Sequence, residues 1–393
     1  MTSYVMLDEA GEAKARRYSA LLIEQLLTKG LLSSSEWQDA FKRVPRHLFV
    51  PEFRLPDNFG GHKLNGRDPN QQEGWLRAVY ANEALLTSVG DDGTVLSTCS
   101  SPTVVARMLE SLNVADGHTV LEIGTGTGWN AGLLSARLGS EAVTSIDVDP
   151  AYIESARERL AELDLHPTLD LADGYVGYPD RAQYDRIVAT CSVRRFPSAW
   201  LEQVRVGGII LADVRGSFAG GVARITRTAE HGASGVFLPA GGSFLPLHSP
   251  DHHVRPGSDL ARLVGRASGA AGDTRKTDFD LSVFGPSNGF AFFAQLAIPG
   301  SLHTRVEVES AGTVFCLVHP DSDSWARVEV DEEPSSFVTQ GGTRRLWDDL
   351  EASYELWQNI SRPTRDQFMI TVTKDGEQYV SLPGAPYQWH LPI

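Results

Sequence analysis

The chain has 393 residues and a formal net charge of −15, with ordinary apolar content and three cysteines. That length predicts two to three domains and a sizeable core, and no apolar run approaches the ~18 residues of a membrane span. The acidic balance speaks against a dedicated nucleic-acid binder, and the distant Cys99, Cys191 and Cys316 speak against a disulfide framework or zinc site.

Met1 to Arg17 mixes charges without an apolar h-region, so no signal peptide is expected and a cytoplasmic location fits. Residues 11 to 29 carry Leu21, Leu22, Leu26 and Leu27 at helical spacing, and Gly30 ends the pattern. A second helix begins near Ser34 or Ser35, with Trp37, Phe41 and Val44 on one face, and Pro45 stops it. Residues 54 to 76 are polar with Gly60-Gly61 and read as a long loop.

From 101 to 215 the predicted elements alternate. Helices are expected over Pro102 to Leu112, Trp129 to Leu138, Pro150 to Leu163 and near Ser198 to Val204. Strands are expected over Thr119 to Ile123, Ala142 to Ile146, Leu169 to Leu171, Tyr184 to Thr190 and Ile209 to Val214. Such alternation predicts a parallel sheet with helices on both faces. Residues 217 to 280 are rich in Gly, Ser, Ala and Pro, and short strand-like runs follow to 330. Arg344 to Ile360 is an amphipathic helix by spacing, and Met369 to Thr373 and Gln378 to Leu382 flank a Lys374-Asp375-Gly376 turn. The expected division is 1–80 helices and loops, 81–219 a cofactor domain and 220–393 a C-terminal α+β module.

The chemistry is concentrated at Val120-Leu-Glu-Ile-Gly-Thr-Gly-Thr-Gly128. A strand, a glycine-rich turn and a helix hold a nucleotide-like cofactor at the carboxyl edge of a parallel sheet. A dinucleotide fingerprint needs its third glycine at position 129, where Trp129 stands. Glu122, Gly124, Thr125, Gly126 and Gly128 are therefore candidate cofactor residues. Asp147 ends the next strand, close to the ~20-residue offset of an acid that grips a ribose diol. Asp173-Gly174 follows the third strand, where the carboxylate is a candidate acceptor for an adenine amino group. Asp173 alone has a second reading as a helix cap, and Asp149 before Pro150 reads better as one.

E-x-G-x-G-x-G resembles the first motif of the S-adenosylmethionine-dependent methyltransferases. Arg43-Val-Pro-Arg-His-Leu-Phe-Val-Pro-Glu52, Val79-Tyr-Ala-Asn-Glu-Ala-Leu85, Thr98-Cys-Ser-Ser-Pro102 and Asp173-Gly-Tyr175 resemble ordered motifs of the protein-L-isoaspartate O-methyltransferases over residues 15 to 215. The resemblance implies a Rossmann-like class I methyltransferase sheet with helices on both faces and S-adenosylmethionine as cofactor, released as S-adenosylhomocysteine. Asp213 departs from the pattern, standing where an apolar Val-Pro-Val strand is usual. The long tail is a second departure. Its Arg345-Leu-Trp-Asp-Asp-Leu-Glu351 helix and the Phe368–Val372 run are similar to those of homologues that serve ribosomally made modified peptides such as graspetides, lanthipeptides and lasso peptides.

That similarity implies methylation of an Asp side chain in a constrained peptide, followed by collapse to an aspartimide and hydrolysis to isoaspartate. The alternatives are a repair methyltransferase for isoaspartyl proteins with an accessory tail, and a non-catalytic cofactor-binding scaffold. A nucleic-acid methyltransferase is disfavoured by Thr190-Cys-Ser-Val193, which holds no Asn-Pro-Pro-Tyr-like tetrapeptide. The partner is a peptide or protein carrying Asp or isoaspartate, with neither membrane nor nucleic acid expected.

An Asp carboxylate, with a reference pKa of ~3.9, is already ionised, so the transfer requires neither a general base nor a metal. Short donors suit such a substrate, which makes Ser100 and Thr98 the candidate catalytic residues, with Ser101, Ser192 and Arg194 as candidate substrate contacts. Ser100 has a second reading as the N-cap of the helix after Pro102, and the Arg194-Arg195 pair as a solvated pair. His47 reads as structural and Cys191 as small packing.

Overall fold

The computed structural model describes residues 3–55, 61–229, 232–249, 262, 264–265, 267, 270–285, 289–308, 312–329 and 336–391. The chain opens with α1 (Glu9–Thr28), capped by Asp8, whose Oδ1 accepts from the Gly11 N–H at 2.7 Å. Its buried stripe is Ala15, Leu22, Ile23 and Leu26. Leu21 and Leu27, expected on that face, are exposed because they fall either side of it. Next comes α2 (Ser35–Arg43), which buries Trp37, Ala40 and Phe41. Pro45 then turns the chain into a short 3-10 helix, Arg46–Phe49.

The expected long loop is structured in its described part. Strands β1 (Glu52–Arg54) and β2 (Lys63–Asn65) pair antiparallel, and α3 (Gln72–Val79) follows. Trp75 is fully buried and its indole N–H donates to the Val50 carbonyl at 2.9 Å. Elements this short show no period in the sequence. Residues 56–60, including Gly60 of the expected loop, lie outside the described residues. Strands β3 (Leu85–Val89) and β4 (Val95–Cys99) complete a four-stranded sheet of order β2-β1-β3-β4.

The alternating region then forms as expected. In chain order it is α4 (Pro102–Leu112), β5 (Val120–Ile123), α5 (Trp129–Leu138), β6 (Val143–Asp147), α6 (Pro150–Ala161), β7 (Thr168–Leu171), β8 (Tyr184–Val193), α7 (Ser198–Gln203) and β9 (Val204–Arg215). All pairings among these strands are parallel. The strand order β7-β6-β5-β8-β9 reverses direction of winding at β5, so the crevice beyond its carboxyl end is a topological switch point.

The main sheet does not stop at residue 219. Strands β10 (Gly220–Thr228) and β11 (Gly232–Phe237) continue it antiparallel, so the expected boundary falls inside the β9–β10 hairpin. The chain then leaves for β12 (Asp273–Thr277), helix α8 (Phe290–Ala297), buried over its first seven residues, β13 (Leu302–Val308), β14 (Gly312–His319), β15 (Ser324–Glu329), β16 (Ser336–Gly341) and α9 (Leu346–Asn359). Strands β12 to β16 make a five-stranded antiparallel sheet, and the last three strands return to the main one. They are β17 (Met369–Val372), β18 (Gln378–Ser381) and β19 (Gln388–His390), and they bring the main sheet to ten strands. A continuous apolar cluster runs from Ile187 and Ile210 of the main sheet through Phe290 and Phe293 to Trp347 and Leu350. The fold is a class I methyltransferase sheet with helices on both faces, extended by an antiparallel C-terminal sheet.

Candidate active site

A cavity of about 290 Å³ opens beyond the carboxyl ends of β5, β6 and β8. Burial of β5 on all sides carries Glu122 inward, where it is fully enclosed. Its Oε1 accepts from Asn130 Nδ2 at 2.7 Å and its Oε2 from the Ser145 hydroxyl at 2.6 Å. Ser145 in turn lies 2.7 Å from the Thr125 hydroxyl, which ties β6 to the glycine turn. Desolvation pushes the Glu122 carboxyl up to about 7, against the pull of its two hydrogen bonds.

The glycines divide their work. Gly124 has φ +96°, and a Cβ there would meet the Thr190 hydroxyl at 2.6 Å. Gly128 has φ +87° and begins α5, where a Cβ would meet that of Ala156 at 2.8 Å. Both are demanded by backbone and packing. A Cβ on Gly126 would meet only the Ser97 hydroxyl, at 3.8 Å, so this turn presents bare backbone to the cavity. Asp147 braces the same turn: its Oδ2 accepts from the Gly126 N–H at 2.9 Å and its Oδ1 from the Asp149 N–H at 3.2 Å. Burial raises the Asp147 carboxyl above its ordinary value.

The cavity wall thus collects Glu122, Gly124, Thr125, Gly126, Asp147 and Gly174 with Thr98 and Ser100. Five of the expected site residues stand off it. Gly128 packs between α5 and α6. Asp173 spends its carboxylate on the Tyr175 N–H (2.8 Å) and the Ser249 hydroxyl (2.5 Å). Ser101 is the N-cap of α4, without a side-chain capping bond. Ser192 is buried and exchanges backbone hydrogen bonds with Leu245 and Leu247. Arg194 lies on the exposed turn after β8, outside the lining. Cys191 does line the cavity, and burial pushes its thiol up, so it remains protonated.

Several contributors were not assigned to the site from the sequence. Arg46 is 1% exposed and donates to five backbone carbonyls, those of Val79, Ala81, Glu83, Cys99 and Ser100. It fixes the β4–α4 turn that carries Ser100. The segment Phe244–His248, beyond the expected domain boundary, forms one wall. Ser97, Asp149 and Tyr152 line the cavity as well. The Arg46 contacts join distant loops, and no local pattern announces them.

The described lining holds the acids Glu122, Asp147 and Asp149 and neither Lys nor Arg. That set of acceptors suits a cofactor with a cationic amino group and a ribose diol, and it disfavours a pyrophosphate. Among the described residues, the Ser100 and Thr98 hydroxyls have no hydrogen-bond partner, which leaves both available to a ligand.

Residues 66–238 match the model of the Protein-L-isoaspartate(D-aspartate) O-methyltransferase (PCMT) family. The protein-L-isoaspartate O-methyltransferase of Ignicoccus hospitalis is 34% identical over 195 residues, spanning 49% of this chain and 80% of that protein. The Methanosarcina mazei protein of the same name is 32% identical over 218 residues, spanning 55% of this chain and 77% of that one. The chain belongs to this family. It is a carboxyl O-methyltransferase with S-adenosylmethionine as cofactor. A solved structure titled protein-L-isoaspartate O-methyltransferase shares the fold with TM-score 0.52 at 20% identity, over 93% of this chain and 99% of that one. The shared fold therefore includes much of the C-terminal region.

Proposed function

We propose that this methyltransferase esterifies the free carboxylate of isoaspartyl residues in peptides or proteins. The observation that carries the reading is that Ser100 and Thr98, whose hydroxyls have no partner among the described residues, line the same cavity as the acidic cofactor pocket. Glu122, Asp147 and the bare Gly126 backbone would hold the cofactor, which supplies an electrophilic sulfonium methyl when bound. Neutral hydroxyl donors orient a carboxylate without quenching its charge, so one oxygen keeps the lone pair that attacks carbon. The carbon–sulfur bond breaks with its electrons going to sulfur, giving a methyl ester and S-adenosylhomocysteine. The backbone nitrogen that follows then displaces methanol and closes a succinimide.

The finer alternative is an Asp side chain in a ribosomally made modified peptide, leading to an aspartimide. It rests on the similarity of the α9 helix. Leu346, Trp347, Leu350 and Trp357 of that helix are buried, however, so the motif supports packing more than peptide docking. One solved structure titled protein-L-isoaspartate O-methyltransferase shares the fold over 93% of the chain, so a C-terminal region of this kind also occurs beside that title. Both observations favour the isoaspartyl reading. The test is mass spectrometry of matched peptides carrying isoaspartate or aspartate at one position, each incubated with enzyme and S-adenosylmethionine. A methyl ester confined to the isoaspartyl peptide supports the reading, and one confined to the aspartyl peptide overturns it.

A further inference from the structure

Asp213, on β9, is fully buried. Its Oδ2 accepts from Arg215 Nε at 2.9 Å and from the Phe244 N–H at 3.3 Å. Its Oδ1 has no partner among the described residues. An incompletely satisfied buried ion pair is a poor device for stability. Its placement suggests another use. The Arg215 guanidinium also donates to the Gly242 carbonyl, so Asp213 and Arg215 together hold two points of the 241–249 segment.

A third group comes from the C-terminal region. Arg365, in the turn between α9 and β17, donates to the Gly220 carbonyl at 2.7 Å. Its guanidinium rests against Gly241, where a Cβ would lie 2.1 Å from Nη1, and Asp213 lies within its electrostatic reach. Gly220 likewise leaves room for Arg215, since a Cβ there would fall 2.6 Å from the guanidinium carbon.

The segment so held is the cavity wall. Phe244 to His248 line the cavity. The middle of the segment exchanges backbone bonds with Ser192 at 2.8 Å each, and Ser249 donates to Asp173 at 2.5 Å. Leu247 closes on Gly174 from above, 2.6 Å from where a Cβ would sit. The segment is thus pinned at its far end and middle by the methyltransferase sheet, and at its near end by Asp213 and Arg215, with the Arg365 guanidinium packed against Gly241.

We propose that Asp213, Arg215 and Arg365 are positioning residues that clasp residues 241–249 over the cofactor cavity, and that Arg365 gives the C-terminal region control of how tightly that cavity closes. This inference is independent of which carboxylate is methylated. It requires that loosening the clasp open the segment locally and weaken cofactor retention while the rest of the fold persists.

The test compares wild type with Arg365→Met, Arg365→Lys and Gly241→Ala, the last of which displaces the guanidinium without removing it. Arg275→Met is the control. It breaks the ion pairs of Arg275 with Asp348 and Glu351 in the same C-terminal region, at residues outside the clasp. Hydrogen exchange of residues 241–249 is read by mass spectrometry, and S-adenosylhomocysteine affinity by calorimetry. Arg365→Met and Gly241→Ala should each speed exchange in 241–249 and raise the dissociation constant about 10-fold. Arg365→Lys should recover most of both, and Arg275→Met should change neither. Exchange unchanged in both clasp variants, or faster exchange with unchanged affinity, overturns the proposal. Should Arg365→Met fail to fold, Gly241→Ala carries the same two readouts.

Discussion

The Arg46 guanidinium lies 2.9 Å from the Ser100 carbonyl oxygen and 3.1 Å from that of Cys99, binding the turn that presents the Ser100 hydroxyl to the cavity. Arg46 faces only carbonyls there, and its ring-side contact is Trp129, 5.2 Å from the guanidinium carbon to the ring centroid. The cation is thus solvated by backbone dipoles from two separate stretches, 79–83 and 99–100. Removing it leaves five carbonyls without their donor. Arg46→Met should cost on the order of 3 kcal/mol or more of stability. Urea unfolding measures that loss, and a midpoint unchanged from wild type would refute the bracing role.

Ser100→Ala removes the hydroxyl and leaves the backbone bond to Arg46 in place. A hydrogen bond to a charged group contributes about 1.5–3 kcal/mol, so kcat/KM for an isoaspartyl peptide should fall roughly 10-fold to 100-fold. S-adenosylhomocysteine affinity by calorimetry should stay within about 2-fold. An unaltered kcat/KM would remove Ser100 from the substrate site.

Glu122 makes the cavity pH-sensitive. Burial raises its folded pKa from 4.5 to about 7, so the folded state holds the proton more tightly than the unfolded chain. For a raised carboxyl, the contribution is most favourable below the unfolded pKa and is lost as pH rises through about 7. Without cofactor, stability should therefore decline by roughly 3 kcal/mol across that window. Glu122→Gln should flatten the decline, as read by thermal unfolding at several pH values. A variant with the wild-type pH profile would assign the decline elsewhere.

The ionised form of Glu122 is the one that attracts a cationic amino group. S-adenosylhomocysteine should bind more tightly as pH rises from 6 to 8, with proton release detectable by calorimetry in two buffers of different ionisation enthalpy. Glu122→Gln should abolish that release. Equal proton release in the variant would assign it to another group.

Asp147→Asn keeps the size of the side chain and removes its charge. If the carboxylate accepts a ribose diol, cofactor affinity should drop about 10-fold or more, since two charge-assisted hydrogen bonds are weakened. Peptide KM at saturating cofactor should change little. Unaltered cofactor affinity would reduce Asp147 to a brace of the Gly126 turn.

The sequence made the alternating half of the chain readable because each strand and helix there is long enough to show its period, and because the turn at Gly124 to Gly128 has a fixed chemical job. The β9–β10 hairpin was not readable as a continuation of the same sheet. A strand carries no mark of its partner, and the shift to Gly-rich composition after residue 216 resembles a domain boundary. The short elements around Trp75 were hidden for want of length. Ser100 and Thr98, expected from the motif, do line the cavity, but Arg46 and the Phe244–His248 wall act across long sequence separations, and only the folded chain brings them to it. Arg194 and Ser192 were expected at the cavity because they lie at the end of the fourth parallel strand, but Ser192 is buried within β8 and the exposed turn after it carries Arg194 off the described lining.

The central claim is methyl transfer to an isoaspartyl carboxylate, and the most direct measurement is mass spectrometry of a short linear isoaspartyl peptide incubated with enzyme and S-adenosylmethionine. The account predicts a methyl ester that decays to a succinimide, with S-adenosylhomocysteine formed in equal amount. No peptide methylation, by enzyme shown to bind S-adenosylhomocysteine, would contradict it.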